Sequence, residues 1–184
     1  MGFRLQGLGR SLWVVGAATV LAAGASWLAV ELHTLHAPDS LAMWVDTFLG
    51  YAIWSFVQQF LMQGFFLLRL LRLLPSGTSA AVTAAGIFAL AHLPNPILTG
   101  LTLLWGLCAC LVFVKHRNIY PLAVAHAIFG ICVAVTIPTT TIHNMRVGLG
   151  YLRYHRPAQT HLNQNDQTVS TVACVTTEAQ TRLS

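Results

Sequence analysis

Five stretches of the chain are too apolar and too poor in charge for a water-soluble domain. The first runs over residues 11–30, about the 20 residues that a helix needs to cross the hydrocarbon core of a bilayer. Charged residues make up only 8% of the chain, whereas soluble domains carry about 25%. The sequence therefore predicts an all-α fold, a polytopic membrane helix bundle with about five hydrophobic helices.

Turn residues divide the rest of the apolar sequence into four further helices. Residues 75–78 (PSGT) and 93–96 (LPNP) are strong helix breakers, and each separates two apolar runs. The predicted helices cover about residues 43–74, 79–92, 97–114 and 120–135. The segment 79–92 is short for a free span, so whether it crosses the whole bilayer stays open.

The polar parts of the sequence complete the predicted domain organisation. An N-terminal anchor helix with its connector occupies residues 1–42, and the membrane helix core occupies residues 43–141. Arginines and tyrosines in residues 142–157 predict a membrane-surface segment, and the polar residues 158–184 predict a disordered tail. A cleaved signal is the alternative for residues 1–25, because they end in a small-residue Ala-Gly-Ala sequence.

The basic residues lie mostly at helix ends, so the net charge of +5 indicates membrane topology and not a nucleic-acid partner. If the N-terminus is cytoplasmic, the basic residues near positions 4–10, 69–72 and 115–117 all fall on the cytoplasmic side. We therefore predict a multi-pass protein of a bacterial-type inner membrane, with lipids as partners. The side on which the C-terminal tail lies stays open.

Five polar side chains interrupt the predicted spans: Gln58, Gln59, Gln63, His92 and His126. At the rise of an α-helix, Gln59, His92 and His126 lie roughly 12–20 Å from the predicted cytoplasmic helix ends. Gln59 and Gln63 are four residues apart and share one helical face. Because polar groups in hydrocarbon need a partner or a water-filled cavity, we predict one polar pocket between the helices.

Three short motifs follow each other in the chain: QQxxxQ from Gln58, FxxxH from Phe88 and HxxxG from His126. They resemble the EExxxR, FxxxH and HxxxN/D motifs of the CPBP (CAAX-processing and bacteriocin-protection) family of intramembrane proteases. This family is also called Abi, or type II CAAX endopeptidases. The resemblance covers about residues 43–137 and implies hydrolysis of peptide bonds in membrane-associated, prenylated or leader peptides.

The resemblance also implies roles for single residues. Gln58 stands at the water-activating position, and His92 and His126 stand at the positions that bind this water and stabilise the oxyanion. The remaining motif positions form the supporting pocket, namely Gln59, Gln63, Phe88 and Gly130.

The chain departs from the family pattern where the family carries its charges. Both glutamates are glutamine, the arginine is Gln63, and Gly130 replaces asparagine or aspartate. An amide orients a water but cannot accept its proton. One neutral histidine could act as the base and the other could stabilise the oxyanion. A catalytic metal needs about three protein ligands, and only His92 and His126 are available, so we predict no metal and no cofactor.

Two other functions fit the same residues. One is a catalytically inactive relative that binds a membrane partner or lipid-like ligand in the pocket. The other is a bis-histidine haem protein that uses His92 and His126 as axial ligands.

Overall fold

The computed structural model describes residues 8–38 and 40–154, and only the backbone of residues 139, 140, 144, 153 and 154. The described residues up to Tyr151 belong to one compact unit. The predicted tail lies outside the described residues. The predicted domain boundaries therefore stay predictions.

Every regular element in the described residues is helical. A π-helix (Phe60–Leu67) continues α3 into α4, and a 3₁₀ turn (His143–Met145) follows α8. The α-helices are α1 (Leu8–Ser11), α2 (Trp13–Glu31), α3 (Leu41–Gln59), α4 (Leu68–Leu73), α5 (Gly77–Leu90), α6 (Pro96–His116), α7 (Tyr120–Thr136), α8 (Thr139–Ile142) and α9 (Gly148–Tyr154). The prediction of an all-α helix bundle is confirmed.

The two helix breakers place the starts of α5 and α6. The Ser76 side chain accepts a hydrogen bond from the Ser79 backbone N–H at 3.0 Å. Asn95 Oδ1 accepts one from the Leu98 N–H at 3.1 Å, and Pro96 occupies the first helical position. Side-chain caps satisfy N–H groups that the helix leaves unpaired, and proline needs no such partner. Both helices therefore begin within two residues of their predicted starts.

The helices pack in two groups that the π-helix connects. Helices α5 and α6 pack against each other, whereas α7 packs against α2 and α3, and the π-helix contacts α3, α5 and α6. Small side chains let α5 and α6 approach closely, since Ala85 is fully buried and its Cα lies 3.4 Å from a Cβ added at Gly106.

The outer surface of the helices is strongly apolar. Two helical stretches, Leu8–Glu31 and Pro96–His116, are long and apolar enough to cross a bilayer, and only 17% and 28% of their apolar windows are buried in the protein. Trp27 is 71% exposed and Leu104 is 65% exposed. A soluble monomer rarely exposes an apolar surface of this extent, so this surface suits contact with lipid.

One buried side chain fastens the segment after α7 to the start of α6. Asn95 is fully buried, and its amide nitrogen donates to the carbonyls of Ile142 at 2.9 Å and Arg146 at 3.3 Å. The Gly148 N–H adds a bond to the Leu93 carbonyl at 2.8 Å. These bonds position the residues that close one side of the cavity described next.

Candidate functional site

A cavity of about 620 Å³ lies between α3, α6, α7 and the turn after α5. The connector before α3 and the segment that Asn95 fastens also contribute to its lining. Most of the lining is apolar, as with Leu101 and Phe129, but Gln58, His92 and His126 also line it. An apolar cavity with a few convergent polar groups is the usual form of a ligand or active site.

His126 lies in the middle of α7 and is 4% exposed. Its Nδ1 lies 2.9 Å from Nε2 of Gln59, the last residue of α3, which is fully buried. An amide nitrogen only donates hydrogen bonds, so Nδ1 of a neutral imidazole accepts here and the ring proton is on Nε2. Gln59 thereby fixes both the orientation and the tautomer of His126.

His92 lies in the turn directly after α5 and is 8% exposed. Its Nδ1 lies 2.8 Å from the Phe88 carbonyl oxygen. A carbonyl only accepts, so Nδ1–H donates and Nε2 of the neutral ring carries the lone pair. The two histidines are therefore held as opposite tautomers, one offering an Nε2 acceptor and the other an Nε2–H donor.

Aromatic rings restrain the two imidazoles from the side. The Phe88 ring contacts both, with centroid distances of 4.8 Å to His92 and 5.9 Å to His126. The indole of Trp105 lies 5.9 Å from His126. Edge and tilted contacts of this kind limit ring rotation. Phe88, which the sequence predicts as part of the supporting pocket, thus contacts both imidazoles but does not itself line the cavity.

The structure brings some of the sequence-predicted residues together and leaves one apart. Gln58 is half-buried and lines the cavity, Gly130 lines it too, and Gln59 reaches the site through His126. Gln63 is fully buried and does not line the cavity. Both of its amide atoms lack a hydrogen-bond partner within residues 8–38 and 40–154.

Tyr51 is a cavity residue that the sequence reasoning missed. Its ring meets His126 edge-on at a centroid distance of 6.5 Å. The available signal was its position seven residues before Gln58, because two helical turns return to the same face of α3. A single tyrosine among many aromatic residues gives no stronger indication than this.

The described lining of the cavity contains neither aspartate nor glutamate. Within the described part of the chain, no three residues among His, Cys, Asp and Glu lie close enough to hold a metal ion. The polar groups that the lining offers are therefore the imidazoles of His36, His92 and His126, together with amide, hydroxyl and indole N–H groups.

A family model described as type II CAAX prenyl endopeptidase Rce1-like matches residues 40–132, half of the chain. This match contains Gln58, His92, His126 and the whole of α5 and α6. No curated protein and no solved structure matches the chain significantly. The family match agrees with the exposed apolar surfaces of the long helices. Together these two findings identify an integral membrane protein. The chain belongs to the Rce1-like family of type II CAAX prenyl endopeptidases, as the order of its three motifs predicts.

Proposed function

We propose that the protein is an intramembrane endopeptidase that cleaves a peptide bond of membrane-associated peptides, either prenylated or leader peptides, inside the cavity. The observation that carries this proposal is the pair of histidines that line one mainly apolar cavity, with Nδ1 of His126 beside the Gln59 amide nitrogen and Nδ1 of His92 beside the Phe88 carbonyl. Family membership supplies the reaction class, and the apolar lining suits a substrate with lipid-like groups.

In the proposed reaction, Nε2 of His92 accepts a proton from a water molecule while the water oxygen attacks the carbonyl carbon. The Nε2–H of His126 donates to the oxygen that becomes negative. Protonated His92 then passes the proton to the amine nitrogen as the C–N bond breaks, giving a carboxylic acid and an amine. Atoms and charges balance without a metal or a cofactor.

The two glutamines have different roles in this mechanism. Gln58 lines the cavity and orients the attacking water through its amide, which cannot act as the base. Gln59 keeps His126 in the donor tautomer through the bond to Nδ1. Gln63 has no direct role, because it lies outside the lining.

We further propose that the protein crosses a bacterial-type inner membrane several times with a cytoplasmic N-terminus. The support is the sequence distribution of basic residues and the two helices long enough to span. Lipids and the membrane peptide are the proposed partners.

The test is cleavage of a fluorogenic peptide that ends in a prenylated Cys-aliphatic-aliphatic-X sequence, by the full chain in proteoliposomes. We expect His92→Ala and His126→Ala each to lower the rate by about 10³-fold, since each removes a proton-transfer or oxyanion group. His116→Ala, at the end of α6 and outside the cavity, is the matched control and should retain activity. Full activity in both cavity variants would eliminate this mechanism.

A second candidate is a non-catalytic binder of the same peptides, and one observation favours it: the described cavity lining has no carboxylate to serve as a strong base. This candidate predicts saturable binding of the prenylated peptide without any product. Measured turnover by the wild-type protein would exclude it. The bis-histidine haem alternative has no support beyond the two histidines.

A further inference from the structure

The tip of the Tyr51 side chain occupies the space directly beside the backbone of Gly130. A Cβ added at Gly130 would overlap the Tyr51 hydroxyl and two carbons of its ring, and these three atoms are its nearest neighbours. Any larger residue at position 130 therefore excludes the tyrosine from this place. The glycine and the tyrosine form one interlocked pair between α3 and α7.

This contact brings the hydroxyl close to the proposed reaction centre. Gly130 follows His126 by one turn of α7, so the two positions lie about 6 Å apart on the same side of the helix. Tyr51, His126 and Gly130 all line the cavity. The hydroxyl and the Nε2–H of His126 are thus two donors presented by one wall.

Neighbouring groups hold the phenol in place. Its ring packs edge-on against His126. Ser55 is fully buried one turn further along α3, and its hydroxyl donates to the Tyr51 carbonyl at 2.9 Å. That bond uses the Ser55 proton on the backbone, and the tyrosine hydroxyl has one proton of its own to donate.

The Thr102 hydroxyl at the cavity is less suitable as a donor to a substrate. Thr102 already donates to carbonyls of its own helix, at 2.8 Å to Leu98 and 3.2 Å to Thr99. The phenol is neutral and protonated at physiological pH. It therefore can donate to a developing oxyanion without the cost of burying a charge.

We propose that the Tyr51 hydroxyl is the second oxyanion donor, binding the carbonyl oxygen of the scissile peptide bond together with Nε2–H of His126. This assignment rests on the proposed endopeptidase function. It also explains the glycine at position 130, because the absence of a side chain there leaves space for the Tyr51 side chain of α3 to reach the site. The proposed role requires the Tyr51 hydroxyl as a hydrogen-bond donor, whereas the ring serves only to position it.

The experiment compares Tyr51→Phe with wild type on the prenylated fluorogenic peptide, measuring kcat and KM separately. Loss of one preorganised donor costs about 10²-fold in kcat, and we expect KM to stay within about twofold because the ring is retained. Tyr120→Phe is the matched control, since it removes a hydroxyl at the start of α7 outside the cavity. Its kcat and KM should both match wild type.

A second measurement separates donation from a packing role. A peptide aldehyde adds water at its carbonyl to give a tetrahedral hydrate, and this ligand should bind Tyr51→Phe about 10²-fold more weakly than wild type, while the uncleaved amide peptide binds both equally. An unchanged kcat in Tyr51→Phe, or equal weakening for both ligands, would overturn the assignment of Tyr51 and leave the roles of the histidines intact. A wild-type protein without turnover would instead refute the proposed function, and the Tyr51 proposal with it.

Discussion

Gln59 and Gln63 are the same residue type, four positions apart in one continuous helix, and both are fully buried. Gln59 bonds to His126 through its amide nitrogen. Gln63 has no partner for either amide atom within the described chain, and Gln59 lacks one for its oxygen. The buried amide of Gln59 thus positions a cavity residue. The buried amide of Gln63 loses its hydrogen bonds to water without gaining any to the described protein, which lowers the free energy of unfolding.

The change from α- to π-helix falls between these two residues. α3 ends at Gln59 and the π-helix begins at Phe60. The i→i+5 bonds of a π-helix add residues to each turn, which rotates later side chains away from the direction that α-helical spacing assigns. Identical spacing in sequence therefore does not give identical surroundings, and π-helical segments often occur beside functional sites.

The comparison predicts that the same substitution lowers the cleavage rate at Gln59 and leaves it nearly unchanged at Gln63. Gln59→Met should lower the cleavage rate by about 10²-fold, because His126 loses the partner that fixes its tautomer. Gln63→Met, the matched control, should stay within about twofold of wild type. The measurement is single-turnover cleavage of the prenylated peptide. Equal loss in both variants would show that the two glutamines act as one unit.

The close contact between Tyr51 and Gly130 should make the effects of substitutions at these two positions on the unfolding free energy depend on each other. Gly130→Ala places a methyl group where the Tyr51 phenol lies, and we expect it to cost about 2 kcal/mol of unfolding free energy through overpacking. In a Tyr51→Ala background the same change should cost almost nothing. Denaturant titration of the four proteins in micelles measures this coupling. Additive costs would mean that Gly130 does not need to accommodate Tyr51.

The smallest expected effect concerns stability at the core side. Gln63→Met keeps the side-chain length and removes two buried polar atoms that lack partners, so it should raise the unfolding free energy by about 1 kcal/mol. The same titration in micelles tests this, with Gln59→Met as the comparison, which should not gain stability. A destabilised Gln63→Met protein would indicate a buried water bonded to the amide.

Much of the fold was accessible from the sequence because helix breakers and apolar runs are local signals. The caps at Ser76 and Asn95 lie in the two predicted turns. The similar depths of Gln59, His92 and His126 predicted a shared pocket; both histidines line the cavity, and Gln59 contacts His126 without lining it. The depth of a residue in the membrane depends only on its distance from the end of its own helix, so it can be estimated by counting residues along the chain.

Contacts between distant segments were not accessible in this way. Nothing in the sequence marks the π-helix, which depends on how α3 packs against its neighbours. The Tyr51 side chain can occupy its position only because Gly130, 79 positions later in the sequence, has no Cβ. The bonds from Asn95 to Ile142 and Arg146 likewise join segments that only the folded chain brings together.

The division of the helices into two groups has a mechanical consequence. His92 lies in the turn that joins α5 to α6, whereas His126 lies in α7, which packs with α2 and α3. A small sliding of one group past the other would therefore separate base and oxyanion donor without melting any helix. Since catalysis tolerates little misplacement of its groups, the thickness and lateral pressure of the surrounding lipid should regulate turnover, even with every side chain unchanged.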